Sequence, residues 1–126
     1  TMVWTDARDI GVRGRGEFKN NRSMYYDRLP AEAEGQVREP LWTRSRFTSG
    51  MYVQFETCSP SLSLKVTYTK PLMGSWNFAS VGVAGLDLYV WDDASASWQW
   101  AATTTNVIFP TAINDAMYSR SGTGSS

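Results

Sequence analysis

Residues Ser61 to Thr69 read SLSLKVTYT, an unbroken alternation. Leu62, Leu64, Val66 and Tyr68 fall on one side, and Ser61, Ser63, Lys65 and Thr67 on the other. A period of two matches an extended chain, whose successive side chains point to opposite faces. A helix would scatter the same apolar residues around its circumference. The run is therefore a strand with one face covered. A lone strand leaves its backbone donors and acceptors unpaired and its apolar face wet, so the rest of the chain must supply a partner and a cover.

The same period recurs elsewhere. Met51, Val53 and Phe55 alternate with Tyr52, Gln54 and Glu56, and Cys58-Ser59-Pro60 suits a short hairpin connection into SLSLKVTYT. Leu86, Leu88 and Val90 alternate with Asp87, Tyr89 and Trp91; DDASAS then makes a turn, and WQWAA begins the return strand. Thr103 to Phe109 is a further strand candidate, ended by Pro110. Helical periodicity of any length is missing, and the one candidate, Pro30 to Gly35, is a single turn at most. The first forty residues are irregular and rich in Gly, Arg and Asn. Short strands with turn signals at roughly 8–12-residue spacing predict an all-β fold, a β-sandwich, with jelly-roll connectivity preferred among the Greek-key arrangements. One domain is expected over residues 1–118, with SRSGTGSS, residues 119–126, as a flexible polar tail.

Several chemistries are excluded by residue types that are missing. The 126 residues contain no histidine. Acyl transfer by a Ser-His-Asp or Cys-His system needs an imidazole to take and return a proton near neutrality, and zinc sites of the usual kind need His or several Cys. The twelve acidic residues leave a paired-carboxylate mechanism as a weaker possibility. They are balanced by twelve basic residues, so no field of one sign draws in nucleic acid or an anionic membrane. RGRG, residues 13–16, reads as a turn; GVAG and SGTG lack the spacing of phosphate loops; DDASAS lacks the Gly and terminal Glu of a calcium-binding EF-hand. No cofactor or metal is expected. The single cysteine, Cys58, excludes a disulfide within the chain. No run of eighteen apolar residues is present to span a membrane, and TMVWTDARD has no signal-peptide pattern, which leaves the compartment open.

Within YYDRLPAEAEGQVREPLWTRSRFTSG a distinctive order appears: Tyr26-Asp27-Arg28-Leu29-Pro30, Ala33-Glu34-Gly35, Val37-Arg38, Pro40, Trp42, Ser45-Arg46 and Ser49-Gly50. Gly14-Arg15-Gly16 precedes it, and GLDLY, Gly85 to Tyr89, and Trp98-Gln99-Trp100 follow. In this order the chain, over roughly residues 14 to 102, resembles the N-terminal β-sandwich that precedes the catalytic domain of SGNH-type esterases, the GxDLY domain. The resemblance implies a jelly-roll accessory domain, shaped like a carbohydrate-binding module, partnered by an α/β hydrolase domain with a Ser-His-Asp triad. Neither the Gly-Asp-Ser block nor the Asp-x-x-His block of that triad occurs here, and GSWNFASVGV stands where the family stretch usually carries a histidine. The chain then reads either as the N-terminal part of such an esterase or as a stand-alone relative.

Eight residues are candidates for ligand or domain contacts: Arg28, Arg38, Arg44, Arg46, Trp76, Asp87, Tyr89 and Trp91. A carboxylate among apolar strand residues is costly unless hydrogen-bonded or paired, so Asp87 is either an anchor bonded by an arginine or by backbone N–H groups, or a carboxylate that grips sugar hydroxyls. The four arginines offer guanidinium forks that match a carboxylate, for which Asp87 and Glu39 are the natural partners. Alternatively they aim at a substrate carboxylate or at the hydrolase domain. Tyr89 and Trp91 share a strand face, and Trp98 and Trp100 lie two apart on the expected partner strand. Pairing across DDASAS makes the four a cross-strand cluster. Turned inward, as is commoner in a sandwich, they are core; turned outward they form a stacking platform for sugar rings. Trp76 sits in an expected loop, where a tryptophan is more often a contact residue. The expected function is a non-catalytic accessory domain that packs on an SGNH hydrolase domain, in the same chain or a separate one, through its arginine-rich segment. The alternative is a free-standing carbohydrate-binding module.

Overall fold

The computed structural model describes residues 3–16, 21–69 and 85–104, together with the backbone of 112–119. The chain divides into two compact units, Thr1–Thr57 and Cys58–Ser126.

The first unit is held by short helices and loops. Helix α1, Ala7–Ile10, begins at Asp6, whose carboxylate accepts the Arg8 N–H at 2.8 Å and meets the Arg8 guanidinium at 2.7 Å. Gly11, at φ 104°, ends it in a conformation that suits glycine. A 3₁₀ turn follows at Ala31–Ala33, the single turn expected between Pro30 and Gly35. Helix α2, Glu39–Ser45, corrects the expectation that helix is absent. It is too short to show a 3.6-residue apolar repeat. Its signals lie at its ends: extended Arg38 as N-cap, Glu39 and Pro40 in the first turn, Arg44 in the last. An acid near the N-terminus and a base near the C-terminus complement the helix dipole, and proline early in a helix gives up an N–H that had no partner there. What holds α2 in place is Trp42, 5% exposed and the one buried large apolar side chain among the described residues. Removing about 150–250 Å² of aromatic surface from water stabilises by roughly 4–6 kcal/mol at about 25 cal/mol per Å².

The run Met51 to Glu56, expected as a strand, forms only an isolated bridge. Arg13 N–H donates to the Tyr52 carbonyl at 2.8 Å, and Tyr52 N–H donates to that of Arg13 at 3.0 Å. The reason it stops is local. Gly14, at φ 79°, turns the opposing chain away after one pair, and a Cβ there would stand 2.2 Å from the Gly50 carbonyl oxygen. A ladder cannot grow past that crossing.

In the second unit, β1, Ser61–Thr67, is the strand read from SLSLKVTYT. Leu62, Leu64, Val66 and Tyr68 are half-buried, while Ser61, Lys65 and Thr67 are exposed. Its antiparallel partner is β4, Ala112–Ser119, from Ser61 opposite Ser119 to Thr67 opposite Ala112. Cys58-Ser59-Pro60 is therefore not a hairpin turn, since β1 pairs with a strand far along the chain. Strands β2, Asp87–Asp92, and β3, Ser97–Thr103, form the expected antiparallel hairpin. Asp92 makes its turn: the carboxylate accepts the N–H groups of Ala94 and Ser95 at 3.2 and 3.1 Å and the Ser95 hydroxyl at 2.6 Å. Such bonds let Asp substitute for a backbone acceptor in a tight loop. β3 approaches β4. Thr103 closes β3, Thr104 follows it outside the strand, and residues 105–109 of the strand expected up to Phe109 lie outside the described residues. The architecture is thus mostly strand with few, short helices, its described strands arranged as two two-stranded sheets.

Candidate functional site

The GLDLY stretch enters β2 through a clamp on the first of its two leucines, Leu86. The Thr104 N–H donates to the Leu86 carbonyl at 3.0 Å, the Thr103 hydroxyl donates to the same carbonyl at 3.3 Å, and the Leu86 N–H donates to the Thr104 hydroxyl at 3.2 Å. Thr104 is fully buried. Both backbone groups of Leu86 are satisfied this way just outside the ladder, which fixes where β2 starts.

From that start the register is set. Tyr89 lies opposite Trp100 and Trp91 opposite Trp98, as the alternation on the two sides of DDASAS anticipates. The register shifts between Leu88 and Tyr89, where Leu88 pairs with Ala102 and leaves Ala101 as the extra residue of a bulge. Trp91 and Trp98 meet edge to face, their ring centroids 5.4 Å apart at 71°. All four rings are turned outward: Tyr89 is 51% exposed, Trp91 46%, Trp98 49% and Trp100 59%. The aromatic cluster is a surface ladder and not a core.

Carboxylates flank the ladder. Asp87 is exposed, and its Oδ1 accepts the Trp100 indole N–H at 3.4 Å, a bond donated by neither arginine nor backbone. The Trp91 indole N–H donates to Asp93 Oδ1 at 3.0 Å. Each of these two indoles is thereby steered by a carboxylate while much of its ring stays open to water. Asp93 is not among the residues expected from the sequence, although the Asp92-Asp93 pair that follows Trp91 is the signal that could have marked it.

The arginine-bearing segment belongs to the first unit, and its buried carboxylate is Asp27, only 3% exposed. Asp27 Oδ2 accepts the Met24 N–H at 3.1 Å and lies 3.5 Å from Arg46 Nη2. The Arg46 guanidinium in turn sits 5.0 Å from the centre of the Trp42 ring. Arg22 Nε donates to the Asp27 carbonyl at 3.0 Å. Arg28 donates to the Ser49 carbonyl, and its Nε is buried without a hydrogen-bond partner. Arg15 donates to the Tyr25 carbonyl and stacks 4.1 Å from that ring's centre. In a segment with almost no ladder, these long side chains satisfy loop carbonyls that secondary structure leaves unpaired. Glu39 is taken by the Thr43 hydroxyl at 3.2 Å. Arg38 and Arg44 are exposed, with no side-chain partner among the described residues. Trp76 lies outside the described residues.

The structure thus brings Tyr89, Trp91 and Asp87 together in one unit, and Arg28 and Arg46 into the framework of the other. Asp27 was missed as a centre because nothing in an aperiodic segment marks one Asp as buried. Among the described residues no group of three or more His, Cys, Asp or Glu is placed to hold a metal ion, and no helix is long and apolar enough to cross a membrane. A family model described as GxDLY, the N-terminus of SGNH-hydrolase-type esterases, matches residues 2–123. No curated protein and no solved structure matches the chain.

Proposed function

The chain belongs to the GxDLY family, the N-terminus of SGNH-type esterases, and from that membership we propose that it is a non-catalytic accessory domain that packs on an SGNH hydrolase domain and helps it hold substrate. The observation that carries this reading is the extent of the match, residues 2–123 of 126. The absence of any histidine supports the non-catalytic part, because the imidazole of an acyl-transfer triad has to come from another domain. Arg38 and Arg44 favour the first unit as the docking side: both are exposed on or beside α2, while Arg28 and Arg46 are committed to the framework. Closure of the two small sheets into a sandwich of jelly-roll type is part of the same reading.

The outward aromatic ladder favours a second reading, a carbohydrate-binding module that acts without a hydrolase. The two are separated by mixing the chain with the SGNH hydrolase domain of the parent esterase. The accessory reading expects a complex, a higher melting temperature for the hydrolase domain, and binding weakened about tenfold by the Arg38→Glu/Arg44→Glu double variant through like-charge and lost-pair effects. A hydrolase domain that neither binds the chain nor changes its melting or esterase activity would sink it.

A further inference from the structure

We propose that the outer face of the β2–β3 hairpin is a binding site for an extended pyranose chain, read by stacking on the Tyr89/Trp100 and Trp91/Trp98 rungs and by hydroxyl donation to Asp87 and Asp93. This deepens the substrate-holding part of the function proposed above, naming the ligand class and the residues.

The rungs follow one another along the hairpin two residues apart, about 6.6 Å at the rise of an extended strand. Their rings are roughly half exposed, and because Trp91 and Trp98 meet edge to face at 71°, a sugar ring stacks on one ring of that rung while the other braces it. The axial C–H groups of a pyranose carry slight positive charge and pack on such faces by the quadrupole attraction that also holds cations there. Two of the indoles are already oriented. Trp100 donates its N–H to Asp87 at 3.4 Å and Trp91 donates to Asp93 at 3.0 Å, which lowers the ordering cost of binding.

The same carboxylates choose among occupants. A dry protein interface would strip water from Asp87 and Asp93 and return nothing, and charged groups are depleted from the middle of such interfaces. Stacked nucleobases would bring phosphates toward two carboxylates, on a chain with no net positive charge to offset them. A sugar chain brings both missing parts, an apolar ring face for the aromatics and hydroxyl donors for the oxygens the indoles leave open. Arranged in register along a hairpin, the rungs favour an extended chain over a single sugar.

The test uses the purified 126-residue chain, titrated with xylohexaose, cellohexaose and mannohexaose and with the matching monosaccharides, followed by tryptophan fluorescence and calorimetry. At least one hexaose gives a saturable change and binds more tightly than its monosaccharide. Trp98→Ala weakens that binding by about tenfold, the upper range for one aromatic contact. Trp98→Phe, which keeps a stacking ring, retains it within about threefold, and circular dichroism confirms that both variants fold. Arg44→Ala, in the other unit, leaves it unchanged. The proposal is overturned if no hexaose gives a saturable change at about 10 mM, or if Trp98→Ala binds like the unmodified chain. It is also overturned if Trp98→Ala weakens a complex with the SGNH hydrolase domain while no sugar binds; the face is then a docking surface and the accessory reading survives. Sugar binding without any such complex keeps the site and removes the accessory reading.

Discussion

Replacing Asp27 probes the centre of the first unit. The carboxylate is 3% exposed, so any hydrogen bond it loses inside is not readily replaced by water. In Asp27→Ala the Met24 N–H loses an acceptor at 3.1 Å, a charge-assisted bond whose removal costs about 1.5–3 kcal/mol. The Arg46 contact at 3.5 Å adds less, because the Arg46 side chain is 38% exposed and rehydrates when its partner goes. Solvent screening holds that pair to about 0.5–1 kcal/mol. The sum predicts a loss of about 2–4 kcal/mol for Asp27→Ala. Asp27→Asn keeps an acceptor for Met24 and loses only about 1 kcal/mol. Arg46→Ala forfeits the same pair and the stacking on Trp42 at 5.0 Å, about 1–2 kcal/mol together. In a double-mutant cycle the coupling of Asp27 with Arg46 is then about 0.5–1 kcal/mol, well below the whole effect of Asp27→Ala. The assay is urea unfolding followed by tryptophan fluorescence, to which Trp42 contributes from within the affected helix. An Asp27→Ala variant within about 0.5 kcal/mol of the unmodified chain would refute the argument, since that is the range of a surface substitution. A coupling as large as the single-mutant effect would show instead that the ion pair, and not the backbone bond, dominates.

Two further outcomes follow from the backbone and the charges. Gly14→Ala combines φ 79° with a Cβ 2.2 Å from the Gly50 carbonyl, whereas Gly50→Ala, at φ 84°, meets nothing within 4 Å. Thermal melting should show about 1 kcal/mol lost for Gly50→Ala and at least about twice that for Gly14→Ala, and equal losses would refute the steric part of the account. At the start of α1 the Arg8 side chain, and then the Arg8 backbone N–H, hold the Asp6 carboxyl down from its ordinary 3.8 to about 2. Because the folded-state value is depressed, the cap is fully present above 3.8 and is lost as pH falls toward 2. Carboxyl NMR should find Asp6 titrating near the low value and moving up in Arg8→Ala; a midpoint unchanged by that substitution would count against the contact.

Much of the candidate site can be read from residue order. The alternation in GLDLYVW and WQW, set on either side of DDASAS, determines that Tyr89 and Trp91 share a face and meet Trp98 and Trp100 across the hairpin, because side chains of an extended chain alternate and a short turn leaves little freedom of register. SLSLKVTYT likewise determines a strand with one covered side. The missing histidine, independent of any fold, removes the familiar triad chemistry from this chain. Three things were settled only in three dimensions. The partner of β1 is β4, a pairing between distant segments on which a local period carries no information. Helix α2 and the buried Asp27 arise in a stretch without periodicity, where Trp42 burial and arginine bonds to loop carbonyls take the place of a repeating pattern. Last, alternation divides a strand into two faces without saying which one water keeps. Only the tertiary structure decides that, and among the described residues it leaves both open: the four aromatic rings on one face and Val90, 46% exposed, on the other.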